Sequence, residues 1–171
     1  SGLIEFWNHG YTHGKVEFNG KKVSVFAASH ELQLDYFQKT QKLAKEKLGF
    51  PFTSFGSPFN SLNQDTAKVL ATDPDIKTWM YGNESYAKKT GYKGMVLGRK
   101  INLENPVHNP NYEKFVERYE KGNLGEMILI QGHPNGWDDK RWDAFVKIID
   151  FLQKKGCEFT TPTEFYKSNS K

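Results

Sequence analysis

The stretch Met127-Ile128-Leu129-Ile130-Gln131-Gly132-His133-Pro134-Asn135-Gly136-Trp137 decides how the rest of the chain is read. Four consecutive apolar residues, Met127 to Ile130, predict a strand buried on both faces, as in a parallel sheet. The polar loop Gly132 to Asp139 then leads into an amphipathic helix ending near Lys155. Its apolar positions are Trp142, Phe145, Val146, Ile149, Phe151 and Leu152, and Gly156 closes it. Cys157 to Thr161 reads as the next strand, Pro162 opens a helical turn, and the polar tail Ser168 to Lys171 is expected to fray.

Working outward, the same alternation recurs. Leu3 to Trp7 reads as a strand, and Val23 to Ala27 as a strand or part of an excursion. Ser29 is placed to cap a helix running to Leu48, with Gly49 as its stop. Phe52 to Phe55, Ile76 to Tyr81 and Met95 to Leu97 read as strands; Gln64 to Ala71 and Asn111 to Glu120 read as helices. Alternating strands and helices predict an α/β fold with predominantly parallel strands, a sheet or a barrel. In such folds the loops after the carboxyl ends of the strands carry the chemistry.

Composition limits the function. The 171 residues suit one domain with a core of its own, and no run approaches the ~20 apolar residues of a membrane span. The net charge of +4 comes from scattered lysines that never form a run of five, so no nucleic-acid partner is expected. No basic, then apolar, then small-residue start is present, and Cys157, the single cysteine, has no partner for a disulfide or a CxxC zinc site. The compartment therefore stays open. The aromatic share of 15% includes Trp7, Trp79, Trp137 and Trp142; such rings suit sugar binding or simply fill a core.

Three loops follow predicted strands. Asn8-His9-Gly10-Tyr11-Thr12-His13 presents two imidazoles that either share one cation or lie singly on the surface. Gly56-Ser57-Pro58-Phe59-Asn60 forms a tight turn whose N–H groups can face a ligand. Gly132 to Trp137 places His133 just past a strand, where it can transfer a proton or merely bond a neighbouring carbonyl. Glu5, Asp138 and Asp139 are the carboxylates nearest these loops in sequence; a helix-capping role explains the last two more simply. His30 is weighed as an extra ligand, and His30 and His108 read as structural or exposed.

The order Asn8-His9-Gly10-Tyr11-Thr12-His13, long helix, Ser57-Pro58-Phe59-Asn60, Ile128 to Trp137, amphipathic helix and Gly156 to Phe165 resembles the polysaccharide deacetylase superfamily, the NodB-like carbohydrate esterase family 4, in a divergent form. The likeness runs from about Ile4 to Tyr166. It implies a distorted or partial (β/α) barrel over residues 1–171 as a single catalytic domain. It implies that His9 and His13 bind a divalent metal, zinc above all, that the Phe59 backbone N–H helps hold an oxyanion, and that His133 is the general acid. The substrate would be an acetylated (amino) sugar polymer, with Trp137, Tyr11, Asn60 and Trp79 as candidate sugar contacts.

The resemblance has gaps. The family's Asp-Asp pair, which supplies the catalytic base and a metal ligand, precedes the histidine loop, and only eight residues precede His9 here. The Arg that steadies that base falls at Gly56. Either the chain is expected to lack its N-terminal strand or strands, or it is a non-catalytic carbohydrate-binding relative that has lost the base. A third expectation is a metal-dependent hydrolase of another kind on a similar barrel.

Overall fold

The computed structural model describes residues 4–170 and shows a mixed α/β chain with a small parallel sheet and six helices. The chain forms two compact units, unit 1 (1–98 and 160–171) and unit 2 (99–159).

In unit 1, β1 (Lys15–Phe18) and β2 (Lys21–Ser24) form an antiparallel hairpin. Asn19 and Gly20 turn it at φ of 50° and 73°, the pair of left-handed residues that a tight hairpin turn demands. A single 3₁₀ turn, Val25–Ala27, leads to α1 (His30–Leu48). Leu32 N–H donates to Ser29 Oγ at its start, and Gly49 ends it at φ 82°, as the sequence predicts. The stretch read as a strand from Leu3 is reduced to one parallel bridge: Asn8 N–H donates to Ser54 O and Gly56 N–H to Asn8 O. Leu3 itself lies outside the described residues.

That bridge joins Asn8 to β3 (Ser54–Phe55), which pairs in parallel with β4 (Thr78–Met80), which pairs in parallel with β5 (Met95–Leu97). Helices α1, α2 (Gln64–Ala71) and α3 (Glu84–Thr90) are the intervening crossovers. The sequence reading omitted α3, although Asn83 caps it and Gly91 stops it at φ 73°. Phe26, Phe37, Phe55, Leu70 and Trp79 form the core that holds the sheet against α1 and α2.

Helix α6 (Pro162–Asn169) returns to unit 1 and is longer than the expected turn, taking in Ser168 and Asn169 from the predicted frayed tail. Glu5 anchors it: the carboxylate accepts from Thr163 N–H at 2.9 Å and Thr163 Oγ1 at 2.8 Å, and from the Ser54 hydroxyl. Glu5 is thus a structural acceptor at a helix start.

Unit 2 is helical, with α4 (Tyr112–Glu120) and α5 (Asp139–Lys154) packed around Ile101, Leu103, Phe115, Ile148 and Leu152. Both helices begin as the sequence predicts, on Asn111 and Asp138. Met127 to Ile130 corrects the reading. The segment is half-buried and forms no strand, and neither does Cys157 to Thr161. An apolar run becomes a strand only where a neighbouring backbone offers a ladder. The only pairing in unit 2 among the described residues is the single antiparallel bridge Glu104–Pro110, so Ile128 and Ile130 pack their side chains on the core without a ladder.

Candidate functional site

Unit 1 brings His9, His13 and Phe59 together. The two imidazoles lie 5.2 Å apart between ring centroids, and His13 lies 4.3 Å from the Phe59 ring. The buried Asn8 fixes where this loop begins. Its Nδ2 donates to Phe37 O, and its Oδ1 accepts from Gly10 N–H at 2.9 Å. Gly10 turns at φ 82°, and a Cβ there would come within 3.0 Å of Phe26, so the loop requires glycine at that position.

His9 Nδ1–H donates to the Gly56 carbonyl at 2.6 Å. A carbonyl only accepts, so this bond places the ring proton on Nδ1 and the lone pair of the neutral ring on Nε2. That is the arrangement found in metal-binding histidines. The Gly56 turn therefore takes part through its backbone. Phe59 and Asn60 follow at φ 58° and 50°, two consecutive non-glycine residues in the left-handed region. Such strain costs about 1–3 kcal/mol per residue and concentrates at functional turns. The turn itself is closed by Asn60 N–H to Ser57 O and Ser61 N–H to Pro58 O.

Two neutral imidazoles suit a borderline cation such as zinc, which ordinarily takes three or four protein ligands. Among the described residues no group of three or more His, Cys, Asp or Glu side chains could hold a metal ion. His9 and His13 are thus two donors, fewer than such a site takes. Asp138, one of the alternative carboxylates, caps α5 by accepting from Arg141 N–H at 2.9 Å.

In unit 2 the focus is Glu104, which the sequence reading overlooked. Its side chain is 4% exposed and accepts from His133 Nδ1–H at 2.6 Å, His133 N–H at 2.7 Å and Trp137 Nε1–H at 2.8 Å. Burial pushes the Glu104 carboxyl up, but the bonds from His133, the His108 backbone and Trp137 outweigh it, and the group titrates below its ordinary value. His133 is thereby clamped at ring and backbone, with its ring partly exposed. His108, at φ 65°, stacks edge-on at 5.1 Å and donates from Nδ1 to the His133 carbonyl at 3.2 Å. A Cβ on Gly136 would collide with His108 at 2.7 Å. A small cavity beside Glu104 and His133 is lined by Arg99, Asn102, Gln131 and Val107.

The aromatic candidates divide. Tyr11 is half exposed, packing edge-on against Tyr36 at 6.0 Å, and Asn60 is half-buried in its strained turn. Trp137 presents part of its ring while packing against Trp142 and Phe145. Trp79 is a correction: it is 0% exposed in the core of unit 1 and offers no face to a sugar. Its position in the middle of β4, buried along its whole length, is the reason. His30, at the first turn of α1, joins no such cluster of ligand groups among the described residues. No known family model matches this chain, and no curated protein matches it.

Proposed function

We propose that the chain is a deacetylase-type domain of the polysaccharide deacetylase superfamily, acting on an acetylated (amino) sugar polymer with a divalent metal, zinc above all. The observation that carries the reading is the His9–His13 pair, with one tautomer set by the Gly56 carbonyl. The order Asn8, β3, β4, β5, in which each strand position pairs in parallel with the next along the chain, supports the finer proposal of an arc of a distorted (β/α) barrel.

In this reading His9 and His13 hold the cation, which when bound polarises an amide carbonyl and activates water. The Phe59 N–H, in its strained turn, donates to the oxyanion. Within unit 2, the resemblance makes His133 the general acid, and Glu104 orients its ring by accepting from Nδ1–H. Tyr11 and Asn60 are the candidate sugar contacts of unit 1, and Trp137 is that of unit 2.

A second reading, a non-catalytic carbohydrate-binding relative, is favoured by one observation. Glu5 and Asp138, two of the carboxylates nearest the loops in sequence, are committed to helix starts and so are not poised as a catalytic base. One experiment separates the two: zinc titration of the chelator-treated chain, followed by assay of acetate release from an N-acetylated oligosaccharide. Zinc binding with acetate release supports the enzyme. Sugar binding without acetate release supports the relative, and binding of neither sugar nor zinc refutes both.

A further inference from the structure

The residue that follows the histidine loop is Lys15, the first of β1. Its ammonium lies 5.5 Å from the centroid of the Phe59 ring, and that ring packs at 4.3 Å on His13. The line His9, His13, Phe59, Lys15 is continuous within unit 1. Three lysines of the unit, Lys39, Lys42 and Lys68, are partnered by carboxylates one helical turn away, and of those outside ion pairs Lys15 is the one set against the Phe59 ring beside His13. Lys15 forms no ion pair among the described residues; the face of a ring positions it instead. Glu17, the acidic residue on its own strand, stands opposite Lys22 in the hairpin, whereas Lys15 stands opposite Ser24. A ring face orients an ammonium without neutralising it, so the charge stays available to an incoming anion.

The charge distribution points the same way. The whole net charge of +4 belongs to unit 1, with 14 lysines against 10 carboxylates, while unit 2 balances at 10 and 10. A surplus of one sign raises the local concentration of oppositely charged ligands. We propose that the sugar taken by the unit 1 site carries a carboxylate, and that Lys15 is the residue that selects it. The proposal rests on reading the His9–His13 loop as part of a sugar-processing site.

The test uses two tetrasaccharides of equal length, the neutral tetra-N-acetylchitotetraose and the hyaluronan tetrasaccharide, in which glucuronate alternates with N-acetylglucosamine. Calorimetric titration of the full chain at low salt should show the acidic sugar binding ~3- to 5-fold tighter, the scale of one exposed ion pair. The preference should persist in Lys15→Arg, vanish in Lys15→Gln, and shrink on adding salt. Because Lys15 is exposed, both variants should unfold at the same temperature as the parent. Equal affinities in the parent chain, or a preference that survives in Lys15→Gln, overturn the selection while leaving the sugar site standing. Binding of neither sugar overturns both together.

Discussion

His9 and His133 each direct Nδ1 at an acceptor 2.6 Å away, and the two acceptors differ in charge. His9 meets the neutral Gly56 carbonyl, which accepts from Nδ1–H, the kind of bond that orients metal-binding histidines. His133 meets Glu104, a buried carboxylate held below its ordinary titration range, which accepts from both its ring and its backbone N–H. A ring oriented by a carboxylate is placed for proton transfer. Equal distances thus come with two different partners, and the roles proposed for the two histidines, cation ligand and general acid, rest on that difference. Variants at the two partners should therefore fail in different ways.

The largest expected effect is at Glu104. Glu104→Ala leaves two donors of His133 and the Trp137 indole without their acceptor, and should destabilise the protein by about 3 kcal/mol in urea unfolding. Glu104→Gln keeps one acceptor and should cost less. The linkage has a definite sign. A carboxyl with a lowered folded-state value contributes stability above its unfolded value, near 4.5, and loses it as pH falls below that. The parent should therefore lose stability below about pH 4.5 more steeply than Glu104→Gln. Parallel curves for the two would show that Glu104 is not the ionised partner.

Next comes the metal. His9→Ala should weaken zinc binding by more than the ~10- to 100-fold that removal of an outer hydrogen-bond partner costs, whereas His133→Ala should leave zinc affinity unchanged. Retention of zinc by His9→Ala would remove the site, and loss of zinc in His133→Ala would erase the distinction between the two histidines. A smaller effect is expected at Gly10. Gly10→Ala places a Cβ at φ 82° and 3.0 Å from Phe26, and should cost about 1–2 kcal/mol while weakening zinc binding through the displaced loop. Unchanged stability would show that the loop is not held as described.

What the sequence disclosed follows from how local each signal is. Helices α1, α2, α4 and α5 announce themselves through caps and periodic apolar faces, and their bounds match the expected ones closely. The hairpin and α3 carried equally local signals, Asn19-Gly20 and Asn83 with Gly91, and went unread. Met127 to Ile130 is different in kind. Its residues have strand propensity, but a ladder needs a neighbour, and a neighbour is a property of the whole fold. The site divides similarly. The His9–His13 spacing was legible, while Glu104 lies 29 residues from His133 and only folding makes them partners. Trp79 read as a sugar platform because a tryptophan in sequence does not reveal which side of a sheet is wet.

Asp138 carries the smallest prediction and sharpens the same contrast. An aspartate beside a histidine loop reads equally well as a metal ligand or as a helix cap. Here its Oδ1 accepts from Arg141 N–H at 2.9 Å, and Arg141 Nη1 lies 3.3 Å from its other oxygen. A cap of this kind is worth about 1 kcal/mol, because one of the unpaired N–H groups of the first turn loses its acceptor when the side chain is truncated. Asp138→Ala should therefore lower the stability of the chain by about that amount and leave zinc affinity at the parent value, with Asp138→Asn recovering most of the loss. A fall in zinc affinity in Asp138→Ala would make the carboxylate a ligand. It would also contradict the proposal that the cation is held by the unit 1 histidines.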